Sequence, residues 1–275
     1  MFNLTDDGPN PDRFVLQRPA DARLWRVLVI GNSMTTIVPG RTSRLEGPYS
    51  EVLESLLRDA GVNAEVRNSG KEYELINRGI HRYQEEERAW SPDVLVVNYG
   101  MAEAQAPAIP KGVHNHFMTW EKGLSRPAAA YRNRIAPRIW PQLRRYQRFA
   151  MGRLGTRLWR MSPRRFAAEL QRVIHLARYD HRLVLVIDVN PPGPRLLYNL
   201  PGIDERVAIL NGVLHDVVGK AAAEDADVKL IEASALAQEM GIDAAIPDGY
   251  HWSPLAQRRV AAMLAAEIIP WIRSF

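Results

Sequence analysis

Cysteine is absent from the 275-residue chain, which excludes a disulfide framework, a thiolate metal site and a cysteine nucleophile. Also missing is any uninterrupted apolar stretch of the roughly 18–20 residues needed to span a bilayer. The opening MFNLTDDGPNPDRF is polar and acidic, without the basic start and apolar run of a secretory signal. A cytoplasmic location is the simplest expectation. Acidic residues are scarce in one segment only: positions 106–165 carry 14 Lys or Arg against a single acid, Glu121, a local balance of +13. The rest of the chain then holds 22 basic and 30 acidic residues, a balance of −8. What remains is ordinary globular material, 46% hydrophobic and 24% charged, sufficient for one sizeable core. One domain over 1–275 is the expectation, with the basic segment needing its own explanation.

Short apolar runs rich in β-branched residues recur along the chain. Residues 25–30 (WRVLVI) end at Gly31 and read as a strand buried on both faces. Further strands are expected at 62–66, 92–97, 183–189 and 228–231. Helical periodicity marks 48–60, which stops at Gly61, and 163–178, 203–224 and 254–273. Ser162 followed by Pro163 supplies an N-cap with proline at the first helical position. Strands alternating with helices argue for a parallel α/β sheet.

In such sheets ligands bind beyond the carboxyl ends of the strands. The residues there are Gly31-Asn32-Ser33, Asn68-Ser69-Gly70, Asn98-Tyr99-Gly100-Met101-Ala102-Glu103 and Pro191-Pro192-Gly193, with Asp248-Gly249-Tyr250-His251 just before the last helix. A serine hydroxyl becomes a useful nucleophile when an imidazole takes its proton, and the imidazole needs a carboxylate to fix its tautomer. Ser33, His251 and Asp248 are those three types. Backbone N–H groups of Ser33 and Gly70 could form an oxyanion hole, and no metal or organic cofactor is needed.

This ordered set of blocks resembles the SGNH (GDSL-type) hydrolases. The resemblance covers about 25–105 and 163–273 and leaves 106–162 outside as a basic, mostly helical insertion after the third strand. It implies a flavodoxin-like three-layer α/β/α fold with a parallel five-stranded sheet, and activity on esters or thioesters through an acyl-serine intermediate. It makes Ser33 the nucleophile, Gly70 an oxyanion donor, Asp248 the orienter and His251 the base. Asn32, Asn98, Gly100 and Glu103 complete the candidate oxyanion and substrate-binding set. Two positions depart from the family pattern. Asn32 replaces the aspartate of Gly-Asp-Ser, and Ala102 stands where the family places an oxyanion-hole asparagine. Asn98, at the end of the same strand, is the candidate replacement donor.

The other polar clusters have plainer readings. His114 and His116 form the closest histidine pair but find only Glu121 nearby, and His81, His175, His181 and His215 read as structural. Asp204, Glu205 and Arg206 read as a helix start. In the insertion, residues 131–160 interleave Arg with Tyr, Trp, Phe and Leu. A lid, a collar for a phosphate-bearing acyl carrier, a peripheral membrane patch and a packed helical hairpin all fit that composition. Nucleic-acid binding fits least, because no reader motif accompanies the arginines. The expected substrate is a small-molecule or carrier-bound acyl ester or thioester, with hydrolysis, acyl transfer and a non-catalytic binding module of the same fold left as alternatives. An anionic ligand at the insertion is a further expectation.

Overall fold

The computed structural model describes residues 23–41, 46–105, 136–154, 159–180, 182–225 and 227–275. His114, His116, Glu121 and His181 lie outside the described residues, as does most of the expected insertion.

Five parallel strands form one sheet: β1 (Trp25–Gly31), β2 (Ala64–Asn68), β3 (Val94–Asn98), β4 (Leu183–Ile187) and β5 (Val228–Ile231). Their spatial order is β2-β1-β3-β4-β5. The sequence explains who sits in the middle. VLVVN and LVLVI are buried at every position, as a strand covered on both faces requires, whereas AEVRN alternates half-buried with exposed residues and takes an edge. Register is fixed by these pairings; Gly31 stands opposite Asn98, so β1 and β3 end together, and Val29 stands opposite Asn68, so β2 ends two residues short of them.

Helices α1 (Tyr49–Asp59), α2 (Ile76–Arg82), α3 (Met101–Ala104), α4 (Ala136–Leu154), α5 (Pro163–Tyr179), α6 (Pro194–Asn199), α7 (Ile203–Glu224), α8 (Ala233–Met240), α9 (Ile242–Ala245) and α10 (Pro254–Ile272) complete the described secondary structure apart from short 3-10 and π turns. α1 packs on α10, and α5 packs on both α2 and α7; the two groups cover opposite faces of the sheet. Ser162 accepts the N–H of Arg165 and Ser253 that of Ala256, each followed by proline, so both long helices begin as the sequence indicates. The expected three-layer α/β/α architecture is the observed one, and α4 lies after β3 as expected for a helical insertion.

The second strand begins two residues later than expected. Val62 is buried in the turn after Gly61, where its N–H is donated to the Leu57 carbonyl, and the ladder starts at Ala64. Because β1 has β2 on one side and β3 on the other, the chain reverses its direction of growth between β1 and β3. A crevice at the carboxyl ends of the strands opens at such a switch point.

Candidate active site

Ser33 follows β1 and opens a single 3-10 turn, Ser33–Thr35. Asn32 caps that turn. Its Oδ1 accepts the Met34 N–H at 3.0 Å, and its own N–H is donated to the Asn98 carbonyl at 3.4 Å across the switch point. The Asn32 side chain is thus a buried positioning element beneath the serine.

From the far end of the sequence, the loop before α10 brings in Asp248 and His251. Asp248 Oδ1 accepts the backbone N–H groups of Tyr250 (2.8 Å) and His251 (2.7 Å), while Oδ2 lies 2.7 Å from His251 Nδ1. Gly249 sits between them at φ +88°, a conformation that favours glycine. The other imidazole nitrogen, Nε2, is 3.1 Å from Ser33 Oγ. Burial pushes the Asp248 carboxyl up, but the three hydrogen bonds from His251 and Tyr250 outweigh it and hold the group below the ordinary carboxylate range. Asp248 therefore stays ionised at neutral pH and can fix a proton on Nδ1, leaving Nε2 to accept from the serine.

The loop is pinned on several sides. Trp252, next to the histidine, is 1% exposed and belongs to the core. Asn190, in the loop after β4, donates Nδ2 to the Tyr250 carbonyl at 3.1 Å, and the Gly193 N–H is donated to the Gly249 carbonyl at 3.1 Å. Neither Asn190 nor Trp252 carries a sequence signal of this role; both act through contacts between distant segments.

The loop after β2 closes another wall. Asn68 donates Nδ2 to the Thr35 carbonyl (2.6 Å) and to Ser50 Oγ (3.0 Å), and its Oδ1 accepts the Gly70 N–H at 3.0 Å. The Gly70 N–H, expected to face an oxyanion, is therefore donated to Asn68 in this structure. Among the described residues no acceptor meets the Ser33 N–H. Behind this loop runs a buried network. Arg82 bonds to Ser69 Oγ and to both Glu74 oxygens, and Tyr99 donates its hydroxyl to Glu74 Oε2 at 2.8 Å. Tyr99 closes over Gly79, where an added Cβ would overlap the phenol. Gly79→Ala is expected to cost about 1–3 kcal/mol through this overpacking, measurable by urea unfolding.

Two residues of the candidate substrate-binding set make contacts within the fold. Asn98 is buried and donates Nδ2 to the equally buried Tyr49 hydroxyl at 3.2 Å, so it braces α1 against β3. Glu103 is fully buried: Oε1 accepts the Ile76 N–H at 2.7 Å and Oε2 the Gly100 N–H at 2.8 Å. It ties the turn after β3 to α2 through one backbone N–H on each oxygen. Gly100 adopts φ +129° with Val189 packed where a side chain would go, so its role here is to let the backbone turn. Ala102 is buried and offers no side-chain donor.

Burial pushes the Glu103 carboxyl up to about 7, against the backbone hydrogen bonds and the charge of Arg160, which pull it down. A carboxyl that holds its proton more tightly when folded contributes stability that is complete below its ordinary value near 4.5 and is lost as pH rises through about 7. Urea midpoints are expected to fall across that window in the wild type and to vary less in Glu103→Gln.

His81 pairs with Glu85 at 3.0 Å on the surface, and His215 lies 4.0 Å from Glu232, remote from Ser33 in their contacts. Asp204 and Glu205 occupy the first turn of α7, as expected, but Arg206 is fully buried and donates Nε to the Ala104 carbonyl at 2.7 Å. Among the described residues no group of three His, Cys, Asp or Glu is arranged to hold a metal ion.

No family model matches the chain, and no curated protein matches its sequence. Solved structures do match its fold. They include the lipase/acylhydrolase from Enterococcus faecalis, with TM-score 0.59 and 16% identity over 89% of this chain and 95% of that one. The psychrotrophic esterase EstA from Pseudoalteromonas sp., in a structure inhibited by monoethylphosphonate, aligns with TM-score 0.53 and 10% identity over 90% and 98% of the two chains. An acetylxylan esterase from Geobacillus stearothermophilus gives TM-score 0.52 and 13% identity over 89% and 94%. At these identities the likeness is one of fold.

Proposed function

We propose that this chain is a serine-dependent hydrolase of acyl esters or thioesters of the SGNH type, with Ser33 as nucleophile, His251 as general base and Asp248 as its orienter. The observation that carries the reading is the continuous relay from the Asp248 carboxylate through both imidazole nitrogens to Ser33 Oγ, at 2.7 and 3.1 Å. That an acylhydrolase and esterases share the fold agrees with it.

In this mechanism His251 Nε2 takes the Ser33 proton as Oγ attacks the acyl carbon, and the imidazolium that forms is stabilised by Asp248. The carbonyl oxygen, now anionic, is met by the Ser33 N–H and competes with Asn68 Oδ1 for the Gly70 N–H. The imidazolium then gives its proton to the departing alcohol or thiol, leaving acyl-Ser33. Water, deprotonated by the same nitrogen, releases the acid and restores the serine. The missing donor at Ala102 makes this oxyanion hole a sparse one, so slow turnover is part of the reading.

A fluorophosphonate probe tests it directly, because phosphonylation requires an activated serine but no natural substrate. Labelling of the wild type at Ser33, abolished in Ser33→Ala, is the expected result. A folded wild-type protein that takes no label would sink the proposal and favour a binding module of the same fold.

A further inference from the structure

Helix α4 has no evident place in the relay. Its 19 residues, APRIWPQLRRYQRFAMGRL, hold five arginines and no acid. Among its described side chains, Arg138, Ile139, Gln142, Arg145, Tyr146, Phe149, Gly152 and Arg153 are exposed, while Gln147, Arg148 and Ala150 are half-buried. At 3.6 residues per turn the exposed set falls within an arc of roughly 140°. One face therefore points to water, and it is an unusual face. Ile139, Tyr146 and Phe149 are 41%, 59% and 62% exposed along it, flanked by Arg138 and Arg145 on one side and joined by Arg153, whose guanidinium lies 5.1 Å from the Phe149 ring.

A solvated helix would carry charges of both signs with few large apolar groups, and a core-facing helix would bury its aromatics. This face does neither. Apolar side chains rimmed by arginine suit a surface that is itself layered, with negative charge outermost and hydrocarbon beneath. No described helix is long and apolar enough to cross a membrane. We propose that the exposed face of α4 docks on anionic phospholipids at a bilayer surface, with Tyr146 and Phe149 entering the headgroup region and Arg138, Arg145 and Arg153 on lipid phosphates. This goes beyond the hydrolase reading and does not depend on it.

The helix is also placed to make docking matter. Arg148 stacks on Tyr198 of α6, 4.5 Å from guanidinium to ring centre. α6 in turn abuts the histidine loop, with the Leu196 backbone so close to Gly249 that a side chain there would be crowded. α6 thus links the docking helix to the Asp248–His251 loop.

Flotation of the full chain with vesicles tests the proposal. Binding is expected to equimolar phosphatidylglycerol and phosphatidylcholine but not to phosphatidylcholine alone, and to be lost at about 0.5 M salt, where the Debye length is only a few ångströms. Each arginine near an anionic surface is worth about a fivefold change in partitioning. Arg138→Gln with Arg145→Gln is thus expected to weaken binding by about tenfold or more, and Tyr146→Ser with Phe149→Ser to abolish it, with circular dichroism unchanged. The absence of cysteine permits a second measurement. Phe149→Cys carrying a single environment-sensitive fluorophore is expected to shift to the blue on the anionic vesicles, and Tyr179→Cys, on the far-exposed end of α5, to show no shift. No flotation on anionic vesicles, equal binding to neutral ones, or a silent label at position 149 overturns the proposal. So does tighter, variant-sensitive binding to duplex DNA or RNA, which would assign the face to nucleic acid.

Discussion

Asp248→Asn is expected to lower kcat on a chromogenic ester by about 10⁴ while leaving thermal stability nearly unchanged. The carboxylate accepts three hydrogen bonds, two from backbone N–H groups onto Oδ1 and one from the imidazole onto Oδ2. An asparagine can keep its carbonyl oxygen on the two backbone donors, so the loop should hold its shape. Its amide N–H groups would then face Nδ1, which must become an acceptor. The ring proton moves to Nε2 and points at Ser33 Oγ, 3.1 Å away, where a base is required. Folding is preserved and the tautomer is wrong. Initial rates and unfolding temperature, measured on the same preparation, check both halves. An unaltered rate in the folded variant would mean that Asp248 caps its loop without serving the histidine.

Ala102→Asn is expected to act in the opposite direction, raising kcat by about 10²-fold. A single oxyanion-hole donor is worth on the order of 10² to 10³ in rate. The described donors are few: the Ser33 N–H has no acceptor among the described residues, the Gly70 N–H is already given to Asn68, and Asn98 gives one of its amide N–H groups to Tyr49. Position 102 is the second residue of α3, close after the turn at Gly100, and on the proposed reading an amide side chain there would supply a further oxyanion donor. The site is buried, so circular dichroism must show that the larger residue is accommodated. A folded variant with an unchanged rate would mean that the reaction draws its oxyanion donors from elsewhere.

Those two positions mark how far the sequence could be read. Central strands announce themselves because VLVVN and LVLVI must be buried on both faces, and the relay residues stand out because each falls where a strand ends or a long helix begins. Edge strand β2 was harder. Its alternating residues resemble any half-exposed segment, and the true start is set by pairing with β1, which is a long-range event. The same limit applies to Glu103. A glutamate three residues after Gly100 reads either as a helix N-terminal acid or as a group near the site, and only the fold reveals that the N–H groups of Ile76 and Gly100 meet its two oxygens. Asn190, Trp252 and Arg82 also serve the site through partners distant in sequence or in the core, and none forms a motif. Asn68 was visible as part of a block, but its grip on the Thr35 carbonyl, Ser50 and Gly70 was not.

Ser33 and His251 are 218 residues apart, and the hydrogen bond between them closes only when β1 stands in the sheet and α10 has docked against α1. The anchor for that docking is itself long-range: the Tyr49 N–H is donated to Gln257 Oε1 at 2.8 Å. On the proposed roles, the nucleophile leaves the ribosome long before its base does. The chain would then carry an inert serine until nearly all of the sheet has formed, and no partly made protein would attack the esters around it. Reactivity toward a phosphonate would, in effect, signal that assembly is finished.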